Sequence, residues 1–447
     1  MFAKKMTIAG LACLLAVEAS GCGNTGGGQV TSIRIGVSVY DQYDTFVSEM
    51  INHFNEYASE VSASMDSNVS VNIDVYNAAA SQTTQNNQVK TMLEDGCDII
   101  CVNLVDRTEP VTIIDMAEKK DVPVIFFNRE LVEQDLERWD KLYYVGAKAF
   151  ESGIMQGEMA ADIFKNDPAA DKNGDGVFQY IMLEGEADHQ DAIVRTEYAV
   201  STITDQGVPV EKLGYAIANW NRAQANTKMS QLLTEYGDQI ELVLANNDDM
   251  ALGAVDAMKA AGIDQAEWPV ILGIDGTDVG LAALKNGEIR GTVYNDKEGQ
   301  AEKMFDLAFC LARGLPLDDL GLEDGKYIRQ PYTKLEEVPE EQEEKNGSGY
   351  KKNDKDRHLC GGGGGYLLYL AYQLFGRLSE STGLSYTVSL AAMVLFAAGG
   401  AGIMIFGIRQ LILLAKNGVS EFDKQPGPSE QDLSENVSSE NEDNPEK

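Results

Sequence analysis

The chain has 447 residues, with 71 acidic against 36 basic side chains, a formal charge of −35 and 44% apolar residues. That charge excludes a phosphate-backbone partner, since nucleic-acid binding needs a basic footprint, while the apolar content suffices for two or three domain-sized units. The six cysteines, at 13, 22, 97, 101, 310 and 360, form no CxxC pair and are too sparse for a disulfide scaffold, so a hydrophobic core must hold the fold.

The amino terminus reads as an export signal. Lys4 and Lys5 precede an apolar stretch over 6–17 that is too short to span a bilayer, and Ala19, Ser20 and Gly21 then lead to Cys22. That order is a lipobox, with Ala19 where a larger aliphatic residue is usual. Residues 1–22 are therefore expected to be a lipoprotein signal with Cys22 as the lipid carrier, and the Gly-rich stretch 23–32 a flexible tether.

From residue 33 short β-branched runs alternate with segments of helical period. The runs are 33–40, 69–76, 99–104, 122–127, 178–183, 240–245 and 270–274; helical segments include 46–59, 84–93 and 223–236. Strands separated by helices mean βαβ units and parallel sheets. The series is too long for one small sheet, so the pattern predicts an α/β fold of two Rossmann-like lobes joined by a hinge. The expected change of sheet is at 122–128, giving a first lobe of 33–127 and 296–325 and a second of 128–295.

Composition shifts beyond about residue 335. Residues 339–380 read as a solvated linker that ends in a glycine run and a short apolar stretch. The segment 381–408 carries no charged side chain and is long enough for one transmembrane helix. Arg409 and Lys416 beyond it, against Arg377 before it, place the acidic tail 409–447 in the cytoplasm.

Two constellations carry chemistry. Within DKNGDGVFQ, Asp171, Asn173, Asp175 and Gln179 offer oxygens at positions one, three, five and nine of a calcium loop of the EF-hand type. Gly176 supplies the turn and Val177 a backbone carbonyl. Position twelve holds Met182, so either the site lacks a ligand or a distant carboxylate completes it. The second constellation lies at the ends of predicted strands: Asp44, Phe46, Asn103, His189, Asp191, Arg195, Trp220, Asn247, Asp275 and Asn295. Ligands of parallel sheets bind beyond the carboxyl ends of strands. Asp, Asn, Arg and His suit sugar hydroxyls, and Phe46 and Trp220 offer flat apolar faces. Singly, Phe46 also reads as a core residue, Asp44 as a helix cap and Asn295 as a turn residue; the set carries the inference.

The segments RIGVSVYDQYDTF, NLVD, VPVIFFNRE, YYVG, DKNGDGVFQ, GEADHQDAIVRT, ANNDDMALGAVDAMKA, LGIDG and GTVYND occur in an order that resembles the galactose- and glucose-binding members of the type I periplasmic-binding-protein family. The resemblance spans about 33–335. It implies that Phe46 and Trp220 sandwich a pyranose, and that Asp44, Asn103, His189, Asp191, Arg195, Asn247, Asp275 and Asn295 hydrogen-bond it. It also implies a structural calcium ion completed by Glu241, and delivery of D-galactose or D-glucose to an ABC permease after hinge closure. Nothing in that family accounts for the chain beyond about residue 340. The alternative is a membrane-anchored sugar sensor that signals through 381–408. A glycoside hydrolase would need paired carboxylates with separated pKa values; Asp44, Asp191 and Asp275 could mimic one, but their surroundings suit a binder. A sugar-responsive repressor needs a basic helix-turn-helix where this chain has a signal and tether. The expectation is a non-enzymatic binding lipoprotein on the outer face of the cytoplasmic membrane. Cys97 and Cys101 flank a strand-like run as inert core residues.

Overall fold

A computed structural model describes residues 31–64, 69–187 and 189–338. The expected signal with Cys22, the tether up to residue 30, the linker 339–380, the membrane span 381–408 and the tail lie outside the described residues. Among the described residues no helix is long and apolar enough to cross a membrane.

The first lobe runs β1 (Thr31–Val39), α1 (Thr45–Ser64), β2 (Val69–Asn77), α2 (Gln82–Glu94), β3 (Ile99–Val102), α3 (Val111–Lys120), β4 (Val124–Phe127), α4 (Glu133–Leu136) and β5 (Leu142–Gly146). The second runs α5 (Ala149–Asn166), β6 (Phe178–Glu184), α6 (Gln190–Asp205), β7 (Val210–Ile217), α7 (Arg222–Tyr236), β8 (Leu242–Ala245), α8 (Asp248–Ala260), β9 (Val270–Asp275), α9 (Asp278–Lys285) and β10 (Gly291–Asn295). The chain ends in α10 (Lys297–Arg313), β11 (Tyr327–Arg329) and β12 (Tyr332–Leu335).

The two sheets have the orders β2-β1-β3-β4-β5-β11 and β7-β6-β8-β9-β10-β12, the same winding twice. All pairs are parallel except β10 with β12. Every residue of β3, β4, β8 and β9 is buried, as expected of strands covered by helices on both faces.

The change of sheet comes later than the sequence pattern suggests. β5 pairs with β4 from Val124↔Leu142 onward, so the first lobe extends to Gly146 instead of residue 127. The intervening polar stretch with its single helical turn disguises a strand that returns to the same sheet. The chain crosses between lobes three times, at 147–148, at 296 and at 330–331. After the second crossing α10 packs on α1, where Phe305 meets Phe54 and Tyr57 edge-on at 5.9 and 5.6 Å and Tyr57 donates to Asp306 at 3.1 Å. β11 extends the first sheet beyond the expected limit at 325, and β12 returns to the second.

One close helix contact fixes the second lobe. A Cβ placed on Gly157 of α5 would lie 2.5 Å from the carbonyl oxygen of Ala199 in α6, and one on Gly153 would lie 2.8 Å from that of Arg195. Only glycine lets these backbones approach, and α6 carries Arg195 into the cleft described below. Gly157→Ala should therefore lower unfolding stability by about 1–3 kcal/mol through overpacking. Urea denaturation checks this; a midpoint equal to the parent's would contradict it.

Candidate functional site

The carboxyl ends of the two sheets face one another across a crevice. Its walls are Tyr40, Asp44, Phe46, Asn128 and Arg129 from the first lobe and His189, Asp191, Arg195, Trp220, Asn247 and Asp275 from the second. Eight of the ten residues expected to bind sugar meet here. The cavity between them is only about 30 Å³, room for one or two waters, so the lobes are closed on one another. A larger groove of about 1570 Å³ lies along the amino ends of the second sheet, between Leu233, Met258 and Trp268. None of the strand-end residues reaches it, and ligands of parallel sheets sit at the opposite ends.

In the first lobe Asp44 caps α1: its Oδ1 accepts from the Val47 amide at 2.9 Å, while Oδ2 accepts from the Tyr40 hydroxyl at 2.6 Å. Burial pushes the Asp44 carboxyl up, against the pull of those two bonds. Phe46 is 5% exposed, part of the lobe's core as well as a wall of the cleft. The Arg129 guanidinium lies 3.6 Å from the Tyr40 ring centroid and crosses to Glu186 of the second lobe at 3.0 Å.

In the second lobe the organising group is Arg195. Its Nη1 donates to the Asn246 carbonyl at 2.7 Å and lies 3.6 Å from Asp275, while Nη2 lies 3.8 Å from Asp191. Burial pushes Asp191 up and Asp275 well up, with Arg195 opposing both. His189 caps α6, its Nδ1 accepting from the Asp191 amide at 3.1 Å. Burial, aided by Arg129, Arg195 and Arg107, holds its pKa well below 6.5, so the imidazole is neutral at pH 7. Asn247 caps α8 through Met250 at 2.9 Å and donates to the Trp220 carbonyl at 3.3 Å. Trp220 meets His189 edge-on at 5.2 Å. A Cβ on Gly185 would fall 2.2 Å from its indole, so only glycine leaves that ring its place.

The cleft concentrates backbone strain. Asn128, Trp220 and Asp275 have φ of 61°, 60° and 116°, conformations that cost about 1–3 kcal/mol each and gather at functional sites. The buried Arg195 Nε and Trp220 Nε1 have no protein acceptor, two donors left over for a polar ligand or water.

Two expected residues stand outside the cavity. Asn103 is fully buried behind it: its Nδ2 donates to the Phe127 carbonyl and to Asn128 Oδ1 at 3.2 and 3.0 Å, and its Oδ1 accepts from the Tyr40 amide at 3.3 Å. Asn128, one strand over, takes the wall position, with Asn103 holding it. Asn295 ends β10, and its Oδ1 accepts from Gln300 at 2.6 Å. Tyr40, Asn128 and Arg129 are the wall residues that strand-end reasoning missed, although Asn128 directly follows the buried run of β4.

The calcium-type loop also folds as a unit. Asp171 accepts from the amides of Gly174 and Gly176 at 2.8 and 2.9 Å, and Gln179 donates to Asp175 at 2.9 Å. Glu241, 1% exposed, closes it by accepting from the amides of Lys172 and Gln179 at 2.6 and 3.2 Å. Lys172 Nζ donates to the carbonyls of Ile240 and Glu267 at 3.1 and 2.9 Å. Among the described residues no three His, Cys, Asp or Glu side chains would hold a metal by themselves. This donor set draws in addition on Asn173, Gln179 and the Val177 carbonyl, an all-oxygen set of the kind hard cations take.

The neutral His189 gives a direct check. Its ring resonances should keep neutral-imidazole values as pH falls from 8 to 6, whereas an NMR titration midpoint near the ordinary 6.5 would contradict the burial argument.

Comparison with known proteins gives the family. Residues 35–316 match the family described as periplasmic binding protein domain. The chain is 35% identical over 282 residues to the D-galactose/methyl-galactoside binding periplasmic protein MglB of Haemophilus influenzae, covering 63% of this chain and 82% of that protein. It is 30% identical to a putative rhizopine-binding protein of Rhizobium meliloti, covering 63% and 85%. Among solved structures, an ABC transporter solute binding protein from Bacillus halodurans with bound myo-inositol aligns at a TM-score of 0.58 and 28% identity, covering 72% of this chain and 99% of that one. Each of these relatives is described as a binding protein. The chain belongs to the periplasmic binding protein domain family and is a binding protein, not an enzyme.

Proposed function

We propose that the cleft captures a hexopyranose, D-galactose or D-glucose, and that the closed complex hands it to an ABC permease. The observation that carries this reading is the convergence, from both lobes, of Phe46 and Trp220 with Asp44, Asn128, His189, Asp191, Arg195, Asn247 and Asp275. Carboxylates accept from hydroxyls, while Arg195, the asparagine amides and the Nε2–H of neutral His189, whose Nδ1 already accepts from the Asp191 amide, donate, which suits vicinal hydroxyls that both donate and accept. The two aromatic faces suit the apolar faces of a pyranose ring. Relatives whose ligand is a galactoside or myo-inositol support a ring-shaped polyol; the galactose and glucose assignment rests on the resemblance of the site segments to the galactose- and glucose-binding members of the family.

Capture would work by closure. Sugar enters when the lobes part about the three crossings, and contacts to both lobes then favour the closed state by differential affinity. Calcium belongs to the same reading. Asp171, Asn173, Asp175, Val177, Gln179 and Glu241 would hold the ion, which would offset most of the charge of three neighbouring carboxylates and tie the β6 entry to β8. Lipidation at Cys22 and a span at 381–408 would keep the cleft at the outer face of the membrane, with the tail inside.

Two outcomes test the reading. Trp220→Ala and Asp275→Ala should each weaken galactose binding by about tenfold to a hundredfold, since an unpaired buried polar group costs about 1–3 kcal/mol. Titration calorimetry reads this; normal binding by either variant, or hydrolysis of a galactoside by the pure protein, would refute the assignment. For calcium, Asp171→Ala or Glu241→Ala should lower the melting temperature far more than sugar affinity, because the ion stabilises only the folded state. Identical melting with calcium and with chelator would remove the ion from the account.

A further inference from the structure

Outside the cleft, one buried cation joins the lobes. Lys297 opens α10 immediately after the second crossing and is 1% exposed. Its Nζ pairs closely with Glu49 of α1, in the first lobe. The same Nζ donates to the carbonyl of Gly276 at 3.2 Å and to Asp278 Oδ1 at 3.0 Å, both in the second lobe. Glu49 also crosses directly, accepting from the Asp278 amide at 3.1 Å. None of these three side chains lines the sugar cavity.

The turn they seize is the one that positions Asp275. Asp275 lines the cleft with φ of 116°, and Gly276 and Thr277 follow it into α9. Asp248 stiffens this turn: its Oδ2 accepts from the Thr277 amide at 2.8 Å and its Oδ1 from the Thr292 hydroxyl at 2.6 Å. A buried ammonium is tolerated only when paired. Moving the lobes apart would draw Glu49 from the Asp278 amide and leave Lys297 to hold one lobe's partners or the other's. The full network would then be confined to the closed state.

We propose that Glu49, Lys297 and Asp278 form an interlobe latch, a set of positioning residues that raises ligand affinity by stabilising the closed form without touching the ligand. The proposal rests on the hinge-closing reading above. Two further bridges span the lobes. Thr45 donates to Asp249 at 2.7 Å, and Arg129 pairs with Glu186 at 3.0 Å. Arg129 lines the cavity, so its loss would mix contact with closure; the Lys297 set separates them.

Stripping Lys297 would leave two carboxylates facing one another, so the test uses the shape-preserving Glu49→Gln and Asp278→Asn in the full chain. Stopped-flow binding of D-galactose should show dissociation accelerated about tenfold in Glu49→Gln and less in the half-exposed Asp278→Asn, with association unchanged. Melting of the sugar-free chain should fall by less than melting of the galactose complex, since the Glu49–Lys297 pair within the first lobe is lost in both and the contacts to the second lobe only in the closed form. Hydrogen exchange of the 276–280 segment should be faster in Glu49→Gln than in the parent. An unchanged dissociation rate, or an equal loss of stability with and without galactose, would overturn the latch. If the parent binds no galactose the functional reading fails on its own; exchange in the sugar-free chain then decides, slower exchange in the parent supporting the latch and equal exchange overturning it.

Discussion

The cleft depends on one buried guanidinium. Arg195 sits between Asp191 and Asp275 at 3.8 and 3.6 Å and is pinned to the Asn246 carbonyl. Without that charge, two buried carboxylates would share a dry crevice with Asp44, and burial would neutralise them. Even with it burial raises Asp191 and carries Asp275 well up, and Arg195 opposes that rise while holding both groups aimed into the space between the lobes. A buried ion pair of this kind adds little net stability, so its value lies in holding hydroxyl-binding groups ready. The helices serve the same end, since Gly153 and Gly157 let α5 close on α6 and so fix where Arg195 emerges.

Much of this is legible in the sequence. Fully buried strands such as β3, β4, β8 and β9 show as short β-branched runs, and the residues following them are those a doubly wound sheet sends toward its ligand. β5 and β7 were harder for physical reasons. β5, LYYVG, is aromatic rather than β-branched and follows a polar excursion, so nothing local tells that it rejoins the first sheet. β7, VEKLGYAI, is an edge strand with exposed positions and a register shift against β6. The lobe boundary at Gly146 depends on that pairing and not on composition.

The asparagines show a finer limit. Asn103 and Asn128 both follow buried runs of neighbouring strands, and spacing cannot say which amide reaches the cavity. The left-handed backbone of Asn128 turns its side chain to the wall, while Asn103 spends its amide on Phe127, Asn128 and Tyr40. Arg129 and Tyr40 escaped notice because a stacked Arg–Tyr pair exists only once the sheets are assembled. The calcium-type loop was the reverse case. Its spacing and its gap at Met182 are visible in the sequence, and Glu241 folds across it from the β8 side, accepting from the amides of Lys172 and Gln179.

The account stands on a pyranose held between the two lobes, and a crystal structure of the chain grown with D-galactose tests it most directly. The predicted result is a sugar ring flanked by Phe46 and Trp220, its hydroxyls on Asp44, Asn128, Asp191, Arg195 and Asp275, in a cavity widened from its present 30 Å³. Galactose bound elsewhere, or closed lobes whose walls contact no sugar, would contradict it.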